Sequence, residues 1–206
     1  MSTPNLLHVS VSPRGSRSRS NQTGAAFIEA WKAAHPDGTV TQRDLAADAP
    51  TFVTNAWYEG AFTPAEGHSP AARTAMAESD HNIDQVLAAS EILITTPMFN
   101  LNLPAVLKAW IDHVVRFGRT FTMNEAGYAG LVPDRKVTIL VATGGDFSPG
   151  SPAAGYNFLE PYLRAVLGFI GITSVSFIYA SNQNGGEEAA AAGLSAATQA
   201  AKKAAA

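Results

Sequence analysis

The residues best suited to chemistry form a short loop between an apolar strand and a helix. The loop reads Pro97-Met98-Phe99-Asn100-Leu101-Asn102, so it combines large apolar side chains with two amides. Large apolar residues just beyond a strand are unusual unless something flat covers them. In an open parallel sheet, ligands bind outside the carboxyl ends of the strands. The loop therefore predicts a site for a planar heterocycle with a polar edge, such as a flavin ring.

A second candidate is the loop from Ser12 to Ser20, which is rich in hydroxyls and cations. It places Arg14, Arg17 and Arg19 among four serines, just ahead of a predicted helix. One serine alone would be explained as a helix cap. The combination favours a small anion, because free N–H groups and the helix dipole attract phosphate. The loop lacks the Lys-Ser/Thr ending of a Walker loop and the glycine triplet of a dinucleotide fold, so a mononucleotide fits better.

A third loop, from Ala142 to Phe147, contains the pair Gly144-Gly145 after a continuous apolar strand. Glycines let a backbone approach a ligand without a Cβ clash. Taken alone, this pair is as easily an ordinary turn, and the loop at 97–102 could be a hydrophobic plug. All three loops follow predicted strands, however, and a shared site explains them together.

The elements that position these loops alternate between strands and helices. The predicted strands cover residues 6–11, 40–45, 92–94, 136–142 and 175–180. The predicted helices cover residues 21–34, 70–89, 156–169 and 187–206. A further helix is predicted after the loop at 97–102, with Pro104 in its first turn and its end near Arg116. Residues 46–70 are predicted to be a helix-poor excursion, and residues 117–133 a glycine- and aromatic-containing insertion.

Near-continuous apolar strands that alternate with helices indicate a parallel sheet covered on both faces. The sequence thus predicts a single α/β domain over residues 1–206. Its fold would be a doubly wound five-stranded parallel sheet in the order 2-1-3-4-5. In that order, the loops after the first, third and fourth strands emerge together beside the switch point.

Composition excludes several classes of function. A formal net charge of −3 argues against broad nucleic-acid binding. No apolar run is long enough for a membrane span, and the N-terminus has no signal-peptide pattern, so we expect a cytoplasmic protein without membrane association. There is no cysteine, and the five histidines lack metal-ligand spacing, so no metal is expected. With few acid-base candidates and no catalytic residue evident, the chemistry is expected to reside in a cofactor.

The sequence resembles FMN-dependent NAD(P)H azoreductases, a homodimeric bacterial family with a flavodoxin-like fold that is related to mammalian quinone reductases. The resemblance covers essentially the whole chain. It is carried by Ser18-Arg19-Ser20-Asn21-Gln22, Pro97-Met98-Phe99-Asn100-Leu101-Asn102, Gly130-Leu131-Val132 and the segment from Pro161 to Ile172.

The resemblance implies three groups of FMN-binding residues and a substrate pocket. The phosphate would be bound by Ser12, Ser18, Arg19 and Ser20. The ring and ribityl chain would lie along Met98, Phe99, Asn100 and Leu101. The pyrimidine edge would meet Ala142, Thr143, Gly144 and Gly145. The substrate pocket would be lined by Phe121 and Phe169, partly from the partner subunit.

The chain departs from the family at the third loop. It has Ala142-Thr143 where a common family pattern has Ser-Arg, and Asp146-Phe147 where some relatives have Ile-His. The glycines that contact flavin in the family remain, so FMN binding is still expected. The loop borders the substrate pocket, so the departure bears on substrate preference.

The resemblance implies an FMN-dependent NAD(P)H oxidoreductase that reduces quinones and aromatic azo compounds by ping-pong, two-electron hydride transfer. NADH or NADPH would be the donor, and the protein would be a homodimer. The alternative is a flavodoxin-like electron carrier without a substrate pocket of its own, although carriers are usually shorter and more acidic. A second alternative is a flavin-free binding module on the same fold, since fold does not fix function.

Overall fold

The computed structural model describes residues 3–206 and contains a central five-stranded parallel sheet. The sheet strands are β1 (Asn5–Ser10), β2 (Thr39–Asp44), β3 (Glu91–Pro97), β6 (Lys136–Ala142) and β7 (Val175–Ala180). A separate antiparallel hairpin consists of β4 (Phe121–Asn124) and β5 (Gly127–Gly130). The helices are α1 (Arg19–Ala34), α2 (Asn55–Phe62), α3 (Pro70–Ala88), α4 (Ala105–Val114), α5 (Leu159–Phe169) and α6 (Glu187–Ala205). The strands of the sheet lie in the order β2-β1-β3-β6-β7, which confirms the predicted doubly wound order.

The two faces of the sheet carry separate cores. On one face, Phe27 and Trp31 of α1 and Ala201 of α6 pack against Leu6 and Leu93 of the strands. On the other face, α3, α4 and α5 cover a larger cluster, to which the strands contribute Leu7, Val9, Ile92, Ile94, Val137 and Ile139. Within residues 3–206, no helix is both long enough and apolar enough to span a membrane.

Gly24 lets α1 pack directly against β3. A Cβ at this position would lie 2.5 Å from Thr95 Cγ2, which belongs to a fully buried side chain. The added methyl of Gly24→Ala would push α1 away from the sheet, because a packed interior has no free volume to absorb it.

We expect Gly24→Ala to lower the free energy of unfolding by about 1–3 kcal/mol. Gly168→Ala is the matched control: Gly168 also lies in a helix, but an added Cβ meets no atom within 4 Å. That substitution should raise the free energy of unfolding, by up to about 1 kcal/mol. Urea unfolding of both variants checks the pair, and equal effects would contradict the close approach of α1 and β3.

The segment 46–70 contains a helix, so the prediction of a helix-poor excursion is wrong there. The helix α2 begins where Thr54 Oγ1 accepts a hydrogen bond from the Trp57 backbone N–H at 3.3 Å. Trp57 is nearly buried, and α2 packs on α3 so closely that a Cβ on Gly60 would meet Met76 Cγ at 2.7 Å. A two-turn helix stabilised by one cap and one tryptophan gives too short a periodic signal to be read from sequence.

Several other boundaries also differ from the predicted ones: α1 begins at Arg19 rather than Asn21, β3 covers Glu91–Pro97 rather than residues 92–94, and α4 ends at Val114 rather than near Arg116. The helix expected to begin at Tyr156 begins at Leu159, because Ala154–Tyr156 form a separate 3-10 turn and Asn157 Oδ1 accepts from the Glu160 N–H at 3.1 Å. Pro104 lies at the residue before α4 rather than within its first turn.

The insertion at 117–133 is the β4–β5 hairpin, which packs on the end of α5. An added Cβ on Gly130 would lie within 2.5 Å of the Gly171 Cα, so the two backbones are in direct contact. Beside this contact, the ring centroids of Phe121 and Phe169 are 4.6 Å apart. In a parallel sheet, α4 and α5 return from the carboxyl edge to the amino edge. The hairpin and Phe169 therefore lie at the amino edge.

Candidate functional site

The loops after β1, β3 and β6 meet at the carboxyl edge of the sheet and line a cleft with two parts. The inner part has a volume of about 230 Å³ and is lined by Ser12, Arg14, Ser18, Arg19, Pro97, Met98, Phe99, Ala142, Thr143, Gly144, Gln183 and Asn184. The outer part, of about 360 Å³, is lined by Met98, Asn100, Leu101, Gly144, Gly145, Phe147 and Asn184. Met98, Gly144 and Asn184 line both parts. Every predicted cofactor-binding residue except Ser20 lines one part or the other.

The loop after β1 forms a polar cradle at the start of α1. Ser18 is the N-cap, and its Oγ accepts a hydrogen bond from the Asn21 N–H at 3.3 Å. Ser20 lies behind it, 99% buried, with its Oγ 3.1 Å from Ser18 Oγ. The Arg19 and Ser20 N–H groups belong to the first turn, where a helix offers them no acceptor. Together with Arg14 and Arg19, this end of the cleft is suited to an anion.

A buried chain of hydrogen bonds supports the cradle from below. His8 Nδ1 lies 2.7 Å from Gln42 Oε1, and His8 Nε2 lies 3.0 Å from Thr95 Oγ1. Thr95 Oγ1 in turn donates to Asn21 Oδ1 at 3.0 Å, in the first turn of α1. Burial lowers the pKa of His8 below its ordinary value, because desolvation of the charged ring outweighs its interactions with Gln42 and Asp44.

The lowered pKa of His8 predicts a pH-dependent stability. Above the unfolded-state pKa of 6.5 the ring is neutral in both states, and the full stabilisation is present. Below it, the unfolded chain binds a proton that the native ring resists. We expect the free energy of unfolding to fall as the pH decreases from 6.5, by at most about 1.4 kcal/mol per pH unit.

Urea unfolding between about pH 5.5 and 7.5 measures this slope. His8→Gln should flatten it, whereas His81→Gln, at an exposed position on α3, should leave it unchanged. An unaltered slope in His8→Gln would assign the effect to other groups.

The loop after β3 is a tight turn with strained backbone. Phe99 and Asn102 exchange backbone hydrogen bonds of 2.9 and 3.0 Å, which places Asn100 and Leu101 at the tip. Both tip residues have positive φ, 48° and 70°, which is unusual for a side chain as large as leucine. Such residues cost of order 1–3 kcal/mol each and cluster at ligand sites. The turn leaves Phe99 45% exposed at the cleft.

The loop after β6 is bonded along its length to the loop after β7. The backbone N–H groups of Asn182, Gln183 and Asn184 donate to the carbonyls of Gly145, Thr143 and Gly144 at 3.2, 3.0 and 2.9 Å. The two loops thus form one wall of the cleft.

Asp146 joins the same two loops through its side chain. Its Oδ1 accepts from the Ser148 hydroxyl at 2.6 Å and from the Ser181 hydroxyl at 3.0 Å. The pKa of this carboxyl is lowered, chiefly by the bonds from Ser148 and further by Ser181. Asp146 is therefore a charged brace at the outer end of the wall.

Gln183 and Asn184 line the cleft without having been predicted to do so, and Arg14 lines it without a specific predicted role. The available signal was the polar run Asn182-Gln183-Asn184 followed by Gly185-Gly186, directly after the last strand. Since all five strands are parallel, this loop had to emerge at the same edge as the others.

Phe121 and Phe169 contact each other but not this cleft. They belong to an aromatic group at the amino edge, with Tyr128 5.4 Å from Phe169 and Phe117 5.8 Å from Phe121 between ring centroids. Within one chain, the expected substrate pocket is thus separated from the cleft by the length of the sheet.

No group of acidic or histidine side chains among residues 3–206 is arranged to hold a metal ion, and no catalytic acid–base pair lines the cleft. His113 is fully buried, and its Nε2 donates to the Thr51 carbonyl at 2.9 Å, which is a structural contact between α4 and the segment before α2.

Comparison with known proteins gives one consistent result. A family model described as flavodoxin-like fold matches residues 4–205. A protein of Nostoc sp. named FMN-dependent NADH:quinone oxidoreductase is 47% identical over 186 residues, which is 90% of each chain. One of Trichormus variabilis, named FMN-dependent NADH:quinone oxidoreductase 2, is 46% identical over 186 residues, again 90% of each. The crystal structure of an azoreductase from Bacillus anthracis superposes with a TM-score of 0.90 at 30% identity, covering 98% of both chains.

Proposed function

This chain belongs to the flavodoxin-like fold family, and from that premise we propose that it is an FMN-dependent NADH:quinone oxidoreductase that also reduces aromatic azo compounds. The observation that carries the proposal is the convergence of three loops, each singled out from sequence, on one two-part cleft. The names of the relatives supply the reaction, and the cleft supplies the chemical groups that the reaction needs.

The donor set of the cleft fits FMN. The inner part has serine hydroxyls, the first N–H groups of α1 and the guanidinium groups of Arg14 and Arg19, which suit a phosphate. The outer part has Leu101, Phe147 and a glycine pair, which suit a flat aromatic ring. An added Cβ on Gly144 would meet Asn184 Nδ2 at 2.6 Å, so a larger residue there would displace the Asn184 side chain.

Bound FMN would supply the two-electron hydride chemistry that connects NADH to a quinone or an azo compound. The residues of this chain bind and orient the cofactor. Ser12, Ser18 and Arg19 would hold the phosphate. Met98 and Leu101 would cover one side of the ring and keep water from it, with Phe99 along the ribityl chain. The bonded wall at 143–145 would meet the pyrimidine edge with backbone groups. The proton that accompanies each hydride would come from solvent, because no acid–base side chain lines the cleft.

NADH is the donor named for the relatives, and we propose it as the principal donor here. Use of NADPH would require a cation for the 2′-phosphate, and Arg17 is an exposed residue next to the cradle. Comparing kcat/KM for the two donors in wild type and Arg17→Gln tests this. A preference for NADPH that Arg17→Gln removes would reverse the assignment.

The separation of Phe121 and Phe169 from the cleft supports a homodimer. These aromatics can reach a cleft only if a second chain presents them, and the hairpin carries exposed apolar residues: Met123 is 62% and Tyr128 68% exposed. Next to the cleft, Phe158 is also 54% exposed, and its backbone N–H donates to the carbonyl of the cleft residue Leu101 at 3.1 Å. Docking of one chain's hairpin over the other's cleft would cover both surfaces. We place this dimer in the cytoplasm, where NADH is produced.

The first experiment is a visible spectrum of the purified protein, followed by anaerobic NADH and then benzoquinone. Bands near ~450 nm that NADH bleaches and the quinone restores would support the reductase. Bound flavin that NADH cannot bleach would favour the electron carrier. No flavin, even after FMN is added, would refute the proposed function.

Mixed dimers test the shared site. Ser18→Asp would disable the chain's own cradle, and Phe169→Ala would disable the aromatic surface offered to a partner. If sites are built from two chains, one of the two clefts in a mixed dimer is intact, so a mixed dimer should have about half of wild-type activity. Random pairing makes about half of the dimers mixed, so the mixture should have about a quarter of wild-type activity. Activity that never exceeds that of the two variants measured separately would contradict a shared site.

A further inference from the structure

Asn184 occupies the junction between the two parts of the cleft. It lines both the inner part, with the serines and arginines, and the outer part, with Leu101 and Phe147. Met98 and Gly144 are the other residues common to both parts, and neither has a polar side chain. Asn184 is therefore the polar side chain that the two parts share.

The position of Asn184 is fixed by its surroundings. Its backbone N–H donates to the Gly144 carbonyl at 2.9 Å, and its side chain packs over the Gly144 Cα. The neighbouring Gln183 stiffens the loop, because its Nε2 donates to the carbonyls of Ser181 and Ala190 at 3.0 and 3.1 Å. The loop is thus preorganised to present Asn184 at one place.

The side-chain amide of Asn184 is available for a ligand. It makes no hydrogen bond to any other group in residues 3–206, and the residue is exposed at the cleft. Of the other polar side chains of this wall, Thr143 Oγ1 donates to the Gly145 carbonyl at 2.8 Å, Gln183 Nε2 bonds as above, and Asn182 does not line the cleft. One free amide, with a donor and an acceptor, therefore stands beside the cleft junction.

We propose that Asn184 hydrogen-bonds the pyrimidine side of the flavin ring, at N1 and the C2 carbonyl, and holds reduced flavin more tightly than oxidised flavin. The inference rests on the proposed function. With the phosphate in the inner part and the ring in the outer part, the junction receives the edge where the ribityl chain joins the ring, and N1 and the C2 carbonyl are at that edge. Reduction increases negative charge there, and an N–H donor binds a charged acceptor more strongly than a neutral one.

The assignment matters because this chain has Thr143, not arginine, beside the glycine pair. Thr143 is 99% buried and its hydroxyl is used within the loop, so it brings neither charge nor a free donor to the ring. Asn184 is then a neutral group that sets the electron affinity of the cofactor.

Two quantities test the proposal in the purified FMN-loaded protein: the dissociation constant for FMN, from flavin fluorescence, and the midpoint potential of the bound flavin, by dye equilibration. Asn184→Leu keeps a similar volume but removes the amide. We expect FMN to bind roughly 5–10-fold more weakly. We expect the potential to fall by about 30 mV, which corresponds to a tenfold loss of preference for reduced flavin in a two-electron couple.

Two further variants sharpen the test. Asn184→Asp should lower the potential beyond Asn184→Leu, because a carboxylate repels the charge that develops on reduction. Gln199→Leu, the loss of an exposed amide on α6 outside both parts of the cleft, should change neither quantity.

An unchanged midpoint potential in Asn184→Leu would overturn the proposal even if FMN bound more weakly, because Asn184 would then bind oxidised and reduced flavin equally well. Failure of the wild-type protein to bind FMN would instead refute the proposed function itself, so the two failures are distinguishable.

Discussion

Ser18→Asp is expected to weaken FMN binding at least 100-fold while leaving the fold intact. Aspartate is as good an N-cap as serine, so α1 should still begin at the same residue. Its carboxylate, however, would occupy the cradle beside the first N–H groups of α1, where Ser18 is now 98% buried. Two unit charges 4 Å apart repel by about 4 kcal/mol at an effective dielectric of 20, and 100-fold in affinity is about 2.8 kcal/mol.

Titration of the apoprotein with FMN and with riboflavin checks the cause. Riboflavin lacks the phosphate, so Ser18→Asp should weaken its binding far less than that of FMN. Ser195→Asp adds the same charge at an exposed position of α6 and serves as the control. Binding of FMN by Ser18→Asp within threefold of wild type would show that the phosphate is not held at this loop.

Gly130→Ala is expected to lower the free energy of unfolding by about 3 kcal/mol and to release the β4–β5 hairpin from α5. The new methyl would meet the backbone of Ile170 and Gly171, and neither can rotate away as a side chain could. The adjoining hydrogen bond from the Val132 N–H to the Ile170 carbonyl, 3.0 Å long, would be strained at the same time. For a chain of this size, the melting temperature should fall by roughly 6–12 °C.

Calorimetry and size-exclusion chromatography with light scattering measure the two effects of Gly130→Ala. Gly155→Ala is the control, because an added Cβ there meets no atom within 4 Å. Since the hairpin lies at the amino edge, FMN affinity should be largely kept while dimer formation and quinone reduction decline. A melting temperature within 1–2 °C of wild type, less than about 1 kcal/mol for this size, would contradict the backbone contact.

The sheet was predictable because its signals are local and strong. The strands at Lys136–Ala142 and Val175–Ala180 have the predicted bounds, since each is an apolar run that ends at a turn. The order of the strands then required the loops after β1, β3 and β6 to meet, so most cleft residues followed from the fold. The helix α2 gave no such signal, because tertiary contacts of Trp57 and Gly60 stabilise it rather than its own periodicity.

The finer features of the cleft depend on three-dimensional contacts that sequence does not display. Leucine has no preference for positive φ, so the conformation of Leu101 could be seen only in the structure. Asn184 belongs to an ordinary polar run, and its importance comes from the bonds that fix it over Gly144. Phe121 and Phe169 contact each other, but their role in a substrate pocket stays a prediction, and their distance from the cleft of the same chain follows from the direction of α5.

The wall formed by residues 143–145 and 182–184 also determines the thermal signature of cofactor uptake. Its three backbone hydrogen bonds join the two loops through protein groups alone, so loading the cleft orders little additional chain. Coupled folding would make the binding enthalpy strongly temperature-dependent through a large negative heat-capacity change. Here, calorimetric titrations at different temperatures should instead give nearly the same binding enthalpy, that is, a small heat-capacity change, as for a ligand that enters a rigid receptor.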